Sequence, residues 1–297
     1  MTPSSPNRVL ALMVSYNGGP IVAATAEAAC CQVDELLIID NHSRRDSLDI
    51  IENLSATWKN VIVRFNSENI GLAGALNQGI AYAAENGFRY ILTLDQDSLP
   101  KSGMVAELQA ACQKDSSIGI ASPWMYWIAD GKVMGEEPPS RAPYSTWRVW
   151  TGGSFSPVDV LVELGGFPED FFIDFVDYAL CHKVLKAGLK IVVVPSAHMI
   201  QRRGELTTAA IRGRRLFCSN YSAIRHYYIA RNGFVLSWPM KSLTSLKGHL
   251  RWLVTETVKV SLFETSKGPK LRMTALGVLH AILGKMGPLR SQGQYIS

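Results

Sequence analysis

The 297-residue sequence has five cysteines (Cys30, Cys31, Cys112, Cys181, Cys218) and no CxxC spacing among them. An odd count with one adjacent pair argues against both a disulfide framework and a zinc site, and indicates a reducing compartment. No apolar run reaches the roughly 18 residues that a bilayer-spanning helix needs. The opening stretch "MTPSSPNRVLALMVSYNGG" has six consecutive apolar residues, Val9 to Val14, and no small-residue cleavage site, so it reads as a first strand and not a signal peptide. Internal repeats and low-complexity segments are absent. Acidic residues run short in one place: residues 199–297 hold 16 Lys/Arg against 3 Asp/Glu, or +13, whereas residues 1–198 hold 14 against 22, or −8. The basic last third is interleaved with Leu, Val, Trp and Tyr, without the stacking or groove-reading clusters of a nucleic-acid binder. That pattern favours an anionic membrane surface over nucleic acid. The expected location is cytoplasmic, with the chain resting on a membrane.

What is present is a 47% hydrophobic chain, enough for a large core. Through residues 9–122, β-rich runs ("VLALMVS", "ELLIID", "VIVRF", "YILTLD", "IGIAS") alternate with helical stretches near 20–31, 46–57, 72–86 and 102–113. That alternation predicts a mainly parallel sheet with helices on both faces, whose ligands lie beyond the carboxyl ends of the strands. The exits are polar: "SYN" (15–17), "DNHS" (40–43), "NSENIG" (66–71) and "DQDS" (95–98). The segment "DGKVMGEEPPSRAP" reads as a flexible flap. Gly152-Gly153 leads through Ser156-Pro157 into a short helix, and a further helix is expected near 176–187 before the strand "KIVVVP". From Lys241 the pattern gives two amphipathic helices broken at Gly268-Pro269, with Leu243, Leu246, Leu250 and Leu253 at helical spacing.

Asp95 and Asp97 leave the fourth strand on the same side, because strand side chains alternate with period two. Two anions that close either share a divalent cation or belong to a solvated turn. Asp40 is either a ligand for a base or ribose, or a cap on the next helix. "NIGLAGALNQGI" (69–80) offers a helix start at which backbone N–H groups favour phosphate, or small residues for tight packing on the sheet.

Taken together, "VSYN" (14–17), "IIDNHS" (38–43), "NIGLAGALNQGI" (69–80), "LTLDQDS" (92–98), "GGSFSPVDVLVELGGFPEDFFIDFVDYALC" (152–181) and "YSAIRHYYIARN" (221–232) resemble the family 2 inverting glycosyltransferases of GT-A fold, and among these the bacterial rhamnosyltransferases. The resemblance covers about residues 8–235. It implies a GT-A domain over 1–235, with a nucleotide-binding half to about 122 and an acceptor half from 123, followed by a basic helical tail at 236–297. Asp97, helped by Asp95, would hold Mg²⁺ or Mn²⁺ against the donor's diphosphate. Tyr16, Asn17, Asp40, Asn69, Gly71, Asn77, Asp95 and Gln96 fall where the family binds the nucleotide. Arg225 and Arg231 would grip a diphosphate, and Asp177 matches the general base.

The implied donor is dTDP-L-rhamnose and the acceptor a glycan or lipid-linked glycan, with the tail on the inner leaflet. Alternatives are a UDP-sugar donor or a non-catalytic nucleotide- or glycan-binding scaffold. The sequence departs from the family at three places. Acidic positions before and after the base are Val176 and Ala179. A His expected after the "VVVP" strand is Gln201, with His198 the nearby imidazole expected to ligate metal in its place. A dehalogenase-type phosphatase fits less well, since its nucleophilic Asp follows the first strand. Of the remaining arginines, Arg202, Arg203, Arg212, Arg214 and Arg215 add to the positive region, the last three read as a solvated face.

Overall fold

Strands buried on both faces must be mainly apolar, and β1 (Val9–Ser15), β2 (Glu35–Asp40) and β4 (Tyr90–Asp95) are: Leu10, Leu12, Leu36 to Ile39, Ile91 and Leu92 have no solvent exposure. The computed structural model describes residues 7–129, 132–202, 207–211, 214–237, 243–291 and 294–295; Arg203 and Arg212 lie outside them. With β3 (Val61–Phe65), these strands run parallel in the order β3-β2-β1-β4, joined by α1 (Ile21–Cys30), α2 (Arg45–Thr57) and α3 (Gly71–Glu85). The register sets Ser15 beside Asp40, Asp40 beside Phe65 and Val14 beside Asp95, so the four carboxyl ends finish in one row.

The sheet continues with β5 (Ser98–Pro100), α4 (Met104–Lys114), β6 (Ile118–Ala129), β7 (Lys132–Met134), β8 (Tyr144–Thr146), β9 (Phe155–Pro157), α5 (Val158–Glu163), α6 (Val176–Lys186) and β10 (Lys190–Arg202). Among the described residues it has ten strands, ordered β3-β2-β1-β4-β9-β6-β10-β5, with β7 on β6 and β8 on β10. β9 is antiparallel to both β4 and β6. The short helix expected after Ser156-Pro157 is present as α5, with Pro157 as its N-cap, while Ser156 and Pro157 themselves belong to β9. Three residues are too few to show a period of two, so β9 was not visible in the sequence. The expected flap likewise begins as a strand, with Lys132–Met134 turning back onto β6.

The chain divides into two compact units, residues 1–168 with 177–202, and residues 169–176 with 203–297. The anticipated boundary at 235 lies inside α7 (Ala223–Ser237) of the second unit. That unit also holds the hairpin β11 (Thr207–Ile211) and β12 (Arg214–Cys218), α8 (Leu243–Phe263) and α9 (Lys267–Ile282). Its core gathers Phe172, Tyr227 and Tyr228 with Ile224, Met273 and Leu276 around them. Gly277 of α9 lies against the Tyr227 carbonyl, where a Cβ would overlap backbone, so glycine sets how closely α7 and α9 approach. The helix break falls at 264–266 and not at Gly268-Pro269. Pro269 sits in the first turn of α9, where its missing N–H costs no intrahelical bond. Between the two helices, buried Glu264 accepts from Lys270 Nζ at 2.8 Å.

Candidate active site

The row of strand exits is tied together by amides. Gln96, between the two aspartates, accepts from Tyr16 N–H through Oε1 at 3.0 Å and donates through Nε2 to the Tyr16 carbonyl at 3.4 Å. Gly18 leaves the room this requires, since a Cβ there would overlap the Gln96 amide. Asn17, at φ +51°, accepts from Arg44 N–H on its side chain at 2.9 Å and donates its own N–H to Ser43 Oγ at 2.8 Å. The β4, β1 and β2 exits are thereby locked into one rim.

Asp40 is 1% exposed. Its Oδ2 accepts from Ser43 N–H at 2.8 Å, while Oδ1 is buried without a partner. A buried acceptor left open costs free energy unless something donates to it. Beside it, Asn41 Oδ1 accepts from Asn66 Nδ2 and Ile70 N–H, both at 3.1 Å, and Asn41 Nδ2 donates to Asn69 Oδ1 at 2.8 Å. Asn69 Oδ1 also accepts from Gly71 N–H at 2.9 Å. The Gly71 N–H, the first of α3, is thus taken by a side chain. This corrects the expectation of the Gly71 N–H as a phosphate donor. Asn77 departs from its expected nucleotide role as well: its side chain donates to the Phe167 carbonyl at 2.9 Å and accepts from Phe167 N–H at 2.8 Å. It pins α3 to the segment after α5.

Asp95 Oδ2 accepts from Gln201 Nε2 at 2.9 Å. Gln201 reaches the acidic turn because β10 pairs antiparallel with β5 and sets Gln201 beside Ser98. His198 is three residues back and therefore on the other face of the strand. Its ring meets Tyr126 edge to face at 5.6 Å. The expectation of His198 as a metal ligand is corrected by this placement: Gln201 is the residue of β10 that donates to the Asp95 carboxylate. Gly152 closes the turn from above, where an added Cβ would come within 2.7 Å of Asp95 Oδ2 and 2.8 Å of Ser98 Oγ.

Asp97 is half-buried. Burial raises its carboxyl above the usual range, opposed by its own backbone amide and the Arg202 guanidinium. Among the described residues no three His, Cys, Asp or Glu side chains are grouped to hold a metal ion. The donor set instead fits a cation that takes one or two carboxylates here and the rest of its shell from phosphate oxygens and water, as Mg²⁺ does in phosphate sites. A desolvated carboxylate is the group such a cation relieves.

Asp177 is the second residue of α6, and its Oδ1 accepts from Tyr178 N–H at 2.9 Å. Burial pushes the Tyr178 phenol up, with Arg148 pulling it back. Val176 and Ala179 are 2% and 8% exposed, so the two positions that departed from the acidic pattern are packed in the interior. The loop leading to α6 carries Phe172, Asp174 and Phe175 at φ +66°, +60° and +64°. A left-handed phenylalanine costs about 1–3 kcal/mol and persists only where its surroundings hold it. The holder is α7. Asn232 Nδ2 donates to the carbonyls of Phe171 (2.9 Å), Ile173 (2.8 Å) and Asp174 (3.0 Å), and Arg231 donates to those of Asp170 (2.9 Å), Phe171 (3.1 Å) and Gly287. Arg231 has no solvent exposure, so its expected grip on a diphosphate is corrected to a clamp on this loop. Arg225 pairs with Asp174 and lies 4.2 Å over the Tyr221 ring.

The sequence reading missed Gln201 as a positioning group, although it had marked the position, and missed Asn41, Asn66, Ser98, Gly152 and Asn232. Asn41 and Asn66 stand inside polar exits and were open to notice. Asn232 gave no signal beyond its place in "YIARN".

Residues 11–148 match glycosyl transferase family 2. Along nearly its whole length the chain is 24% identical, over 308 residues, to the dTDP-rhamnosyl transferase RfbF of Shigella flexneri, covering 97% of this chain and 99% of that one. In structure it is similar to GalNAc-T7 solved with UDP, GalNAc and Mn²⁺ (TM-score 0.59, 17% identity, 82% of this chain), of which it spans 54%. It is also similar to the mannosyltransferase PcManGT of Pyrobaculum calidifontis, solved with GDP-Man and Mn²⁺ (TM-score 0.59, 16% identity, 95% of this chain and 76% of that one). Both likenesses are of fold.

A carboxyl whose folded pKa is raised destabilises the fold as pH climbs through the unfolded and then the folded value, because the folded state is the one that keeps the proton. Asp97→Asn should therefore melt higher than the wild type at pH 7 in metal-free buffer, and the two should converge in acid. Calorimetry showing an equal or lower melting temperature at pH 7 would contradict this account of Asp97.

Proposed function

We propose that the chain is a family 2 glycosyltransferase of GT-A fold that transfers L-rhamnose from dTDP-L-rhamnose, with inversion, to a hydroxyl of a cell-surface glycan precursor. The observation that carries the donor is the near full-length likeness to a dTDP-rhamnosyl transferase. Asp40, at the β2 exit, is the acid whose carboxylate would accept from a pyrimidine N–H flanked by carbonyls, which thymine provides. Uracil provides the same group, and a UDP-sugar donor is the reading that would replace this one.

Asp97 and Asp95 would hold Mg²⁺ or Mn²⁺, whose charge, when bound, offsets the charge gathering on the leaving diphosphate. Gln201 fixes Asp95 by its amide. Gln96 and Asn17 hold the rim against which the nucleotide lies. Asp177 accepts the proton of the acceptor hydroxyl as that oxygen bonds to the anomeric carbon from the face opposite the diphosphate. The carbon–oxygen bond to dTDP breaks, and its electron pair leaves with dTDP. A β-linked donor gives an α-rhamnoside.

We also propose that the enzyme works in the cytoplasm on the inner-leaflet surface. No helix of the described residues is long and apolar enough to cross a membrane. On α8, buried Leu253, Glu256 and Val260 mark one face, while Leu250, Val254, Val258 and Leu262 repeat every four residues with 43–65% exposure on the other. Exposed Lys247 and Arg251 share that outer face, and the one acid of the helix, Glu256, is buried against Lys259. A face with cations and no acid complements anionic headgroups and repels its own copy.

Three experiments test these readings. Thermal shift against dTDP, UDP and GDP, with and without Mn²⁺, should give its largest, metal-dependent shift with dTDP. Asp177→Asn should keep that shift and lose about 10²–10⁴-fold in turnover of dTDP-rhamnose with an extracted glycan precursor. A larger shift with UDP replaces the donor, and unchanged turnover removes Asp177 as base. For the membrane, flotation with phosphatidylglycerol vesicles should carry the wild type upward and leave Val254→Ser/Val258→Ser behind. Flotation equal with pure phosphatidylcholine would remove the electrostatic part.

A further inference from the structure

We propose that Trp147, Trp150 and Tyr178 form a stacking platform for a pyranose ring of the acceptor, an inference that rests on reading the chain as a transferase to a glycan hydroxyl. Trp147 and Trp150 are 56% and 46% exposed within four residues of each other. Leaving two such large apolar surfaces in water is unfavourable, and two exposed tryptophans on one short loop point to a contact made there.

The rings are held in place before any ligand arrives. Trp150 meets Trp127 edge to face at 5.5 Å, and Trp147 meets Tyr178 in the same way at 6.2 Å. The Arg148 guanidinium lies 4.7 Å from the Trp147 ring and 5.2 Å from that of Tyr178, and donates to the Tyr178 hydroxyl. Beneath them the backbone is anchored. Val149 is buried with its N–H on Cys181 Sγ at 3.5 Å. Ser154 Oγ donates to the Trp150 carbonyl and Thr93 Oγ1 to the Thr151 carbonyl, both at 2.6 Å. Ordering cost is therefore met within the fold and not at binding.

The surface is joined in sequence to both ends of the proposed chemistry. Two residues after Trp150, Gly152 lies against Asp95 and Ser98, and Tyr178 directly follows Asp177 in the chain.

The chemistry of the patch selects a sugar over an acyl chain. A pyranose has an apolar C–H face and a polar rim. The aromatic faces suit the first, and the Arg148 N–H groups with the Tyr178 hydroxyl suit the second. An acyl chain would take the Arg148 guanidinium out of water with the neutral Tyr178 hydroxyl as its partner, a cost that the hydroxyl rim of a sugar avoids.

The test is saturation-transfer NMR of the full chain with the methyl pyranosides of L-rhamnose, D-glucose, D-galactose, D-mannose and N-acetyl-D-glucosamine, with the dTDP thermal shift read on the same wild-type sample. At least one pyranoside should bind, with affinity falling about tenfold in Trp147→Ala and recovering in Trp147→Phe, the size of one aromatic stacking contact. Both substitutions fall on an exposed side chain, so folding is not at stake. No pyranoside binding to the wild type, or equal binding in Trp147→Ala and Trp150→Ala, overturns the platform. Loss of vesicle flotation alone in the tryptophan variants overturns it in favour of lipid. The dTDP shift separates the two readings, since its absence defeats the donor assignment while the pyranoside result still judges the platform.

Discussion

Carboxylates at the buried end of a parallel sheet are the constraint around which this structure is arranged. The register that aligns Ser15, Asp40, Phe65 and Asp95 follows from packing apolar strands side by side, and it delivers the acids to one edge whether or not they have partners. Removing charge from water is costly unless hydrogen bonds or an opposite charge replace the solvent. The protein supplies part of that replacement: Ser43 N–H for one oxygen of Asp40 and the Gln201 amide for Asp95. What is left over is an unpaired buried oxygen on Asp40 and a desolvated Asp97.

A second cost lies in the loop before α6. Left-handed phenylalanines at 172 and 175 are unfavourable by themselves, and a fully buried Arg231–Asn232 pair spends its donors on the carbonyls of that loop. Arginine suits the task because its guanidinium offers several donors in a rigid fork. The residue that reads from the sequence as a phosphate ligand is instead what holds the second unit's loop in shape.

Gln201, Val176 and Ala179 share a pattern. At each, an ionisable residue expected from the family is replaced by a neutral one. Val176 and Ala179 are buried, so an acid there would need a partner. Gln201 keeps contact with Asp95 without competing for a cation.

The sequence by itself determined the elements and the edge. Periods of two and 3.6 located β1 to β4 and α1 to α4, and the rule that ligands lie beyond strand ends picked out Asp40, Asp95 and Asp97, because those signals are local. Only the tertiary structure decided what each polar side chain touches. Asn77, Gly71 and Arg231 look like ligand groups in one dimension and are tied to Phe167, Asn69 and the 170–171 carbonyls in three. Gln201 and Asp95 are 106 residues apart and meet through the antiparallel pairing of a three-residue strand. Hydrogen bonds form between whichever donors and acceptors the fold brings within about 3 Å, and that partnership depends on long-range register, which no short stretch of sequence encodes.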